Sequence, residues 1–93
     1  MISCGDGRCT LQGAVTMANV EALLEEGARQ IQGPQVTLDL SGVTEVDSAA
    51  VSLLLEWRRQ ARRANRTLHY VNLPANLTSL AELYGVTELL GDG

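Results

Sequence analysis

The chain contains no phenylalanine and no lysine, and only Trp57, Tyr70 and Tyr84 are aromatic. Sites that stack single-stranded nucleic acid need several exposed aromatic side chains, which these three scattered residues do not supply. The net charge of −4 disfavours non-specific binding to DNA or to an anionic membrane surface. No apolar run approaches the roughly 20 residues that cross a bilayer. We therefore expect no nucleic-acid partner and no direct membrane insertion.

Residues with redox, metal-binding or catalytic chemistry are also scarce. Cys4 and Cys9 flank a short turn and could face each other on neighbouring strands, but in a reducing cytosol we expect two free thiols. The only histidine, His69, has no acid or nucleophile close to it in sequence, and no zinc-type spacing is present. A phosphate-cradling glycine loop is also missing. These absences predict a protein that is not an enzyme and that has no metal and no cofactor.

Aliphatic residues, by contrast, are abundant. Apolar residues make up 45% of the 93 residues and charged residues 19%, which suits one globular domain over residues 1–93. The N-terminus lacks the basic region and the apolar stretch of a secretory signal, so we expect a cytoplasmic protein.

Short alternating runs and helical periods follow one another along the chain. The predicted strands are residues 2–4, 8–12, 35–40 and 68–71. The predicted helices begin at Thr16, Ser48 and Pro74, and residues 41–46 are predicted to form a loop. Strands separated by helices imply parallel crossovers, so the order β-β-α-β-α-β-α predicts an α/β fold with a mixed sheet of about four strands and helices packed on it.

Each predicted helix has an apolar stripe with spacings of three and four residues. In the first helix the stripe is Met17, Val20, Leu24, Gly27, Ala28 and Ile31. In the second it is Ala50, Leu53, Leu54, Trp57, Ala61 and Ala64. In the third it is Leu77, Leu80, Ala81 and Tyr84, and Gly85 ends that helix. We therefore expect Trp57 and Tyr84 to be at least partly buried.

The most unusual local feature is the Asp-Ser pair that opens the second helix. Asp47 or Ser48 can accept hydrogen bonds from the free N–H groups of the first helical turn. Ala49 and Ala50 keep this turn slim, so that another protein could approach closely. On spacing alone, the pair can equally be an ordinary helix cap.

With these motifs the chain resembles, over nearly its whole length, the STAS domains. The resemblance rests on Leu11-Gln12-Gly13, Asp39-Leu40-Ser41-Gly42-Val43 and Val46-Asp47-Ser48-Ala49-Ala50. It implies a STAS-like mixed sheet. In the anti-sigma-factor antagonists of this family, the residue that matches Ser48 is phosphorylated by a partner kinase. Those proteins usually have glycine where this chain has Ala50.

The second half of the chain resembles more specifically the MlaB-type members, the cytoplasmic STAS subunits of Mla phospholipid-transport ABC systems. This resemblance rests on Leu53-Leu54-Leu55-Glu56-Trp57, Asn72-Leu73-Pro74 and Leu80-Ala81-Glu82-Leu83-Tyr84-Gly85-Val86. It implies a non-catalytic subunit, peripheral to the inner membrane, that binds an MlaF-like ATPase subunit in a complex with the permease and helps maintain outer-membrane lipid asymmetry. In these members a Thr or Ser after the Asp lies at the ATPase contact, and Ser48 matches it.

A helical wheel places a second stripe of the Ser48 helix away from its core stripe. Its members are Ser48, Val51, Ser52, Leu55, Arg59 and Arg62. With Asp47 beside it, this stripe has an apolar centre and a polar rim, which is typical of a protein contact. We therefore predict that it binds the partner. The alternative is an anti-sigma-factor antagonist that is switched by phosphorylation of Ser48.

All seven basic residues are arginine, and five of them are clustered within nine residues. They are Arg58, Arg59, Arg62, Arg63 and Arg66. Arginine near a helix C-terminus complements the helix dipole, and its planar group also suits a protein interface. Nucleic-acid binding is the least favoured of the three interpretations because the whole chain is acidic.

Overall fold

Four strands form one mixed sheet in the computed structural model, which describes residues 1–90. They are β1 (Ile2–Gly5), β2 (Arg8–Val15), β3 (Gln35–Val46) and β4 (Thr67–Val71), in the spatial order β1-β2-β3-β4. The pair β1–β2 is antiparallel, whereas β2–β3 and β3–β4 are parallel. The predicted mixed sheet is thus confirmed. The C-terminal residues 91–93, Gly91-Asp92-Gly93, lie outside the described part of the chain.

The helices are α1 (Val20–Gln30), α2 (Ser48–Arg63), α3 (Ala75–Leu83) and α4 (Thr87–Leu90). Both parallel crossovers move along the sheet in the same direction, so right-handed connections place α1 and α2 on the same face. None of these four helices has the length and apolar character that a bilayer crossing requires.

Alternation along the strands separates a buried face of the sheet from an open face. The buried strand residues are Ile2, Cys9, Leu11, Val15, Val36, Leu38, Leu40, Val43, Leu68 and Tyr70. The alternate residues on the other face are polar and at least partly exposed, among them Thr10, Thr37, Asp39 and His69. Because a strand turns successive side chains to opposite faces, this pattern gives the molecule one core, between the sheet and its helices.

The expected loop at residues 41–46 is wrong, because β3 continues to Val46. Strand β2 is also longer than predicted and pairs with this extension, from Gln12 opposite Gly42 to Val15 opposite Val46. The register shifts twice along the pair. These irregularities break the simple alternation on which the sequence prediction depended.

Helix α1 begins later than predicted, because Thr16 caps a preceding turn rather than the helix. Asn19 Oδ1 accepts from the Thr16 N–H at 3.0 Å, and Asn19 Nδ2 donates to the Ala14 carbonyl at 2.8 Å. The Thr16 hydroxyl accepts from the Ala18 N–H at 3.2 Å. The local side-chain bonds therefore hold residues 16–19 in a turn.

Several residues that were predicted to be in the core are exposed. They are Met17, Ala28, Ala64 and Tyr84. Tyr84 is 51% exposed, whereas α3 packs against the core through the buried Leu77 and Ala81 and the partly buried Leu80. Trp57, at 2% exposure, is buried as predicted. Gly85 has a φ of +70°, so it ends α3 as expected, and Val86 packs against the core beside it.

Cys4 and Cys9 form a disulfide across the β1–β2 hairpin, so the expectation of two free thiols is wrong. The two residues are direct cross-strand partners, with their Cα atoms 4.0 Å apart. Asp6 and Gly7 connect the strands with φ of +53° and +77°. A two-residue Asp-Gly turn with positive φ at both positions sets this register, which brings the two cysteines face to face.

Candidate functional site

Asp47 joins the end of β3, the start of α2 and the turn before α1. Its Oδ1 accepts from the Ala49 N–H at 2.8 Å, and its Oδ2 accepts from the Met17 N–H at 3.0 Å. The first bond is a helix cap, and the carboxylate also lies at the positive end of the helix dipole. Because each of its oxygens accepts a backbone N–H, Asp47 positions the helix start.

Ser48 is the first residue of α2 and is exposed. Ala49 and Ala50, which follow it, are buried, so the helix lies close to the sheet at this point. The Ser48 hydroxyl therefore stands on the surface of a helix start that Asp47 holds in place. This is the position that the sequence pattern predicted for it.

Val51 does not lie on the surface. It is 4% exposed and belongs to the core, so its predicted place on an exposed stripe is wrong. Helix α2 packs against α1, α3 and α4 as well as the sheet, which makes its buried face wider than one apolar stripe. We use the name docking stripe for the remaining surface residues, Ser48, Ser52, Leu55, Arg59 and Arg62.

Most of the docking stripe is exposed, but its apolar member is not. Leu55 is half-buried and packs against the core, whereas Ser52, Arg59 and Arg62 are exposed. Arg59 donates a hydrogen bond to Glu56 one turn before it, and the two form an ion pair. This pairing holds the guanidinium of Arg59 along the helix.

A groove of about 370 Å³ lies between α1 and α2 and borders the docking stripe. Val20, Leu24 and Leu55 give it apolar walls, and all three are partly buried against the core. Its polar edge is formed by Ser52, Glu56 and Arg59. Apolar walls inside a polar rim are the usual anatomy of a protein contact.

Met17 belongs to the same end of the molecule, although the sequence placed it in a helix core. Its backbone is bonded to Asp47, and its side chain is 76% exposed. A methionine so exposed is an adaptable apolar contact for a partner. The sequence signal for its exposed position is the Thr16–Asn19 segment, because Thr16 and Asn19 favour a turn over a helix.

Asp39 lies on the open face of the sheet, away from the docking stripe. The Ser41 N–H donates to its Oδ1 at 2.9 Å, and Arg8 forms an ion pair with its Oδ2 at 3.0 Å. The Ser41 backbone bond, followed by bonds from the side chains of Ser41, Asn72 and Arg8, lowers the pKa of Asp39 to about 2. Asp39 therefore ties the middle of β3 to Ser41 and to Arg8 at the start of β2, and it does not join the candidate site.

Comparison with known proteins assigns this chain to a family. The profile of the MlaB-type STAS domain matches residues 4–91. The intermembrane phospholipid transport system binding protein MlaB of Haemophilus influenzae is 30% identical over 57 residues, which are 61% of this chain and 54% of that protein. The chain thus matches about half the length of this curated relative.

Two solved structures share the fold. The anti-sigma factor antagonist SpoIIAA, in its unphosphorylated form, has a TM-score of 0.72 at 16% identity, with 95% of this chain and 82% of that chain covered. The crystal structure of Mglu has a TM-score of 0.63 at 21% identity, with 83% of this chain and 20% of that chain covered. From its profile match and its sheet topology, the chain belongs to the MlaB-type STAS domain family.

Proposed function

We propose that this chain is a non-catalytic STAS subunit of an Mla-type phospholipid-transport ABC system. In this proposal it binds the ATPase subunit of the transporter and stabilises or regulates it. It is then cytoplasmic and reaches the inner membrane through its partner. The observation that carries the proposal is the exposed Ser48, which stands on a helix start held by Asp47, one helical turn before Ser52 at the rim of the apolar groove.

The geometry of the surface supports binding rather than chemistry. Both carboxylate oxygens of Asp47 accept backbone N–H groups, so it is not placed as a base for Ser48. Beside them, Met17 and the groove offer apolar area, and Ser52 and Arg59 offer polar contacts. A partner helix or loop that enters the groove would bury this apolar area while the rim stays hydrogen-bonded.

A pull-down with the MlaF-type ATPase of the same genome tests the proposal. We expect the wild-type chain to bind, and Ser48→Arg and Ser52→Arg each to weaken binding by at least about tenfold, because a long charged side chain would clash or be buried unpaired. Ser79→Arg is the matched control, since Ser79 is an exposed serine within α3. We leave Leu55 unchanged because it packs against the core.

Melting curves for each variant separate loss of binding from loss of folding. If the wild-type chain does not bind the ATPase, the proposed function is wrong. If Ser48→Arg and Ser52→Arg fold and bind as well as the wild type does, the partner uses another surface. Equal loss of binding in Ser79→Arg would also contradict the site.

The exposure of Ser48 at a helix start keeps one alternative open, an anti-sigma-factor antagonist that a kinase phosphorylates at Ser48. A phosphate there would gain from the helix N-terminus but would be repelled by Asp47. We therefore propose that the unmodified side chain is the functional form. Intact-mass measurement on protein from its own cells tests this, and stoichiometric phosphate on Ser48 with loss of ATPase binding would favour the antagonist.

A further inference from the structure

A second cavity lies about one helix length from Ser48, and its lining is strongly basic. It has a volume of about 210 Å³ and opens between the C-terminal half of α2 and strand β4. Arg58, Arg62 and Arg66 line it together with His69. The other lining residues are Ala61, Thr67 and Leu68, so no carboxylate lines it within residues 1–90.

Two of these arginines are held in place by contacts of their own. The guanidinium of Arg58 lies over the ring of Tyr70, 4.8 Å from its centre. Arg66 Nε donates to the Gly33 carbonyl at 2.8 Å, which leaves the Nη groups of Arg66 for another acceptor. The third, Arg62, is exposed and forms no ion pair within the described part of the chain. The cavity is thus partly organised before any ligand enters.

Backbone groups of the edge strand add to this lining. Strand β4 is at the end of the sheet, so one of its sides has no neighbouring strand within residues 1–90. The Thr67 N–H donates to the Pro34 carbonyl, which lies on the β3 side. Because successive N–H groups of a strand point to opposite sides, the Leu68 N–H points to the free edge. Leu68 is among the residues that line the cavity at this edge, although the whole residue is only 3% exposed.

We propose that this cavity binds a phosphate-type oxyanion. Between Glu56 and Glu82 the chain has five arginines and no acidic residue, so the region is cationic although the whole chain carries −4. Guanidinium groups bind phosphate oxygens in pairs of parallel hydrogen bonds, and three arginines line this cavity. The phosphate can belong to a free anion or to an anionic lipid headgroup.

The cavity shares Arg62 with the end of the docking stripe, but it lies at the opposite end of α2 from Ser48. The rise of an α-helix puts Ser48 and Arg62 about 21 Å apart along α2. Arginine in the last turn of α2 also complements the helix dipole, but that effect does not select the arginines that line the cavity. Arg63 lies in the same last turn and is not one of the lining residues. The proposal therefore stands whether or not the ATPase is the partner.

Titration of ¹⁵N-labelled protein with inorganic phosphate and with pyrophosphate, at constant ionic strength, tests the free anion. We expect saturable shifts of the amide signals of Thr67, Leu68 and His69, and no such shifts with chloride. Arg62→Gln should weaken the binding about tenfold through loss of one charge-assisted pair. Arg63→Gln removes the same charge one residue further along the helix and should leave it unchanged.

Sedimentation with phosphatidylglycerol vesicles, and with phosphatidylcholine vesicles as the neutral reference, tests the lipid headgroup. Binding to the anionic vesicles that Arg62→Gln weakens and Arg63→Gln does not supports the same cavity with lipid as the source. Saturation by free phosphate alone supports the free anion. Equal effects of Arg62→Gln and Arg63→Gln in both assays, or no saturable binding in either, overturn the proposal.

Discussion

At the scale of single residues, two aspartates of this protein hold backbone segments in place. Asp47 ties a helix start to a neighbouring turn, and Asp39 ties the middle of β3 to Ser41 and Arg8. Each accepts at least one backbone N–H. A short side chain with two acceptor oxygens is well suited to such a task, and neither role depends on a partner or a substrate.

The lowered pKa of Asp39 predicts a specific loss of stability in acid. Its pKa is about 2 in the folded protein and 3.8 ordinarily, so the unfolded chain binds the proton more readily. The stabilisation is thus complete above about pH 4 and is lost as the pH falls through 2. We expect urea unfolding at several pH values to show the wild type more stable than Asp39→Asn at pH 5, with the gap narrowing towards pH 2. A gap that is independent of pH would contradict this role.

At the scale of elements, the contact between α1 and α2 depends on one glycine. A Cβ added to Gly27 would lie 2.3 Å from Trp57 Nε1 and 2.4 Å from the adjacent ring carbon, so only glycine allows the helices to approach this closely. The indole is buried and cannot move away without disturbing the core. The glycine on the predicted stripe of α1 is thus a packing requirement.

Replacement of Gly27 by alanine should therefore destabilise the fold. Overpacking costs roughly 1–3 kcal/mol of folding stability, whereas the better helix propensity of alanine contributes only about 1 kcal/mol. Chemical denaturation of Gly27→Ala should show a net loss of stability. In the Trp57→Leu background the clash is removed, so the same change should be neutral or stabilising. An equal loss in both backgrounds would show that the indole contact is not the cause.

At the scale of the whole molecule, one core between the sheet and its helices holds all of the described elements together. We propose that residues 1–93 unfold as a single domain. Trp57 is the only tryptophan and is buried where α2 meets α1, so its emission reports on the core, whereas far-ultraviolet circular dichroism reports on the backbone. Thermal or urea unfolding should give one coincident transition by both signals. Two separate transitions would contradict a single cooperative unit.

Local chemistry in the sequence was enough to predict the elements that depend on near neighbours. The Asp-Ser cap starts α2 at Ser48, the turn at Asp6 and Gly7 forms the hairpin, and Gly85 ends α3. Each of these signals acts within a few residues, through a hydrogen bond or an allowed backbone angle. The alternation of strands and helices predicted a mixed sheet with parallel crossovers, whereas the strand order β1-β2-β3-β4 comes from the structure.

Only the tertiary structure decided the features that depend on distant partners. Strand β3 extends to Val46 because β2 is there to pair with it, and Val51 is buried because α2 has helices beside it as well as the sheet beneath it. The basic cavity forms because the edge strand β4 lies under the arginines of α2. The hydrophobic periodicity of one segment does not identify the segments that pack against it, so these contacts are determined only by the folded structure.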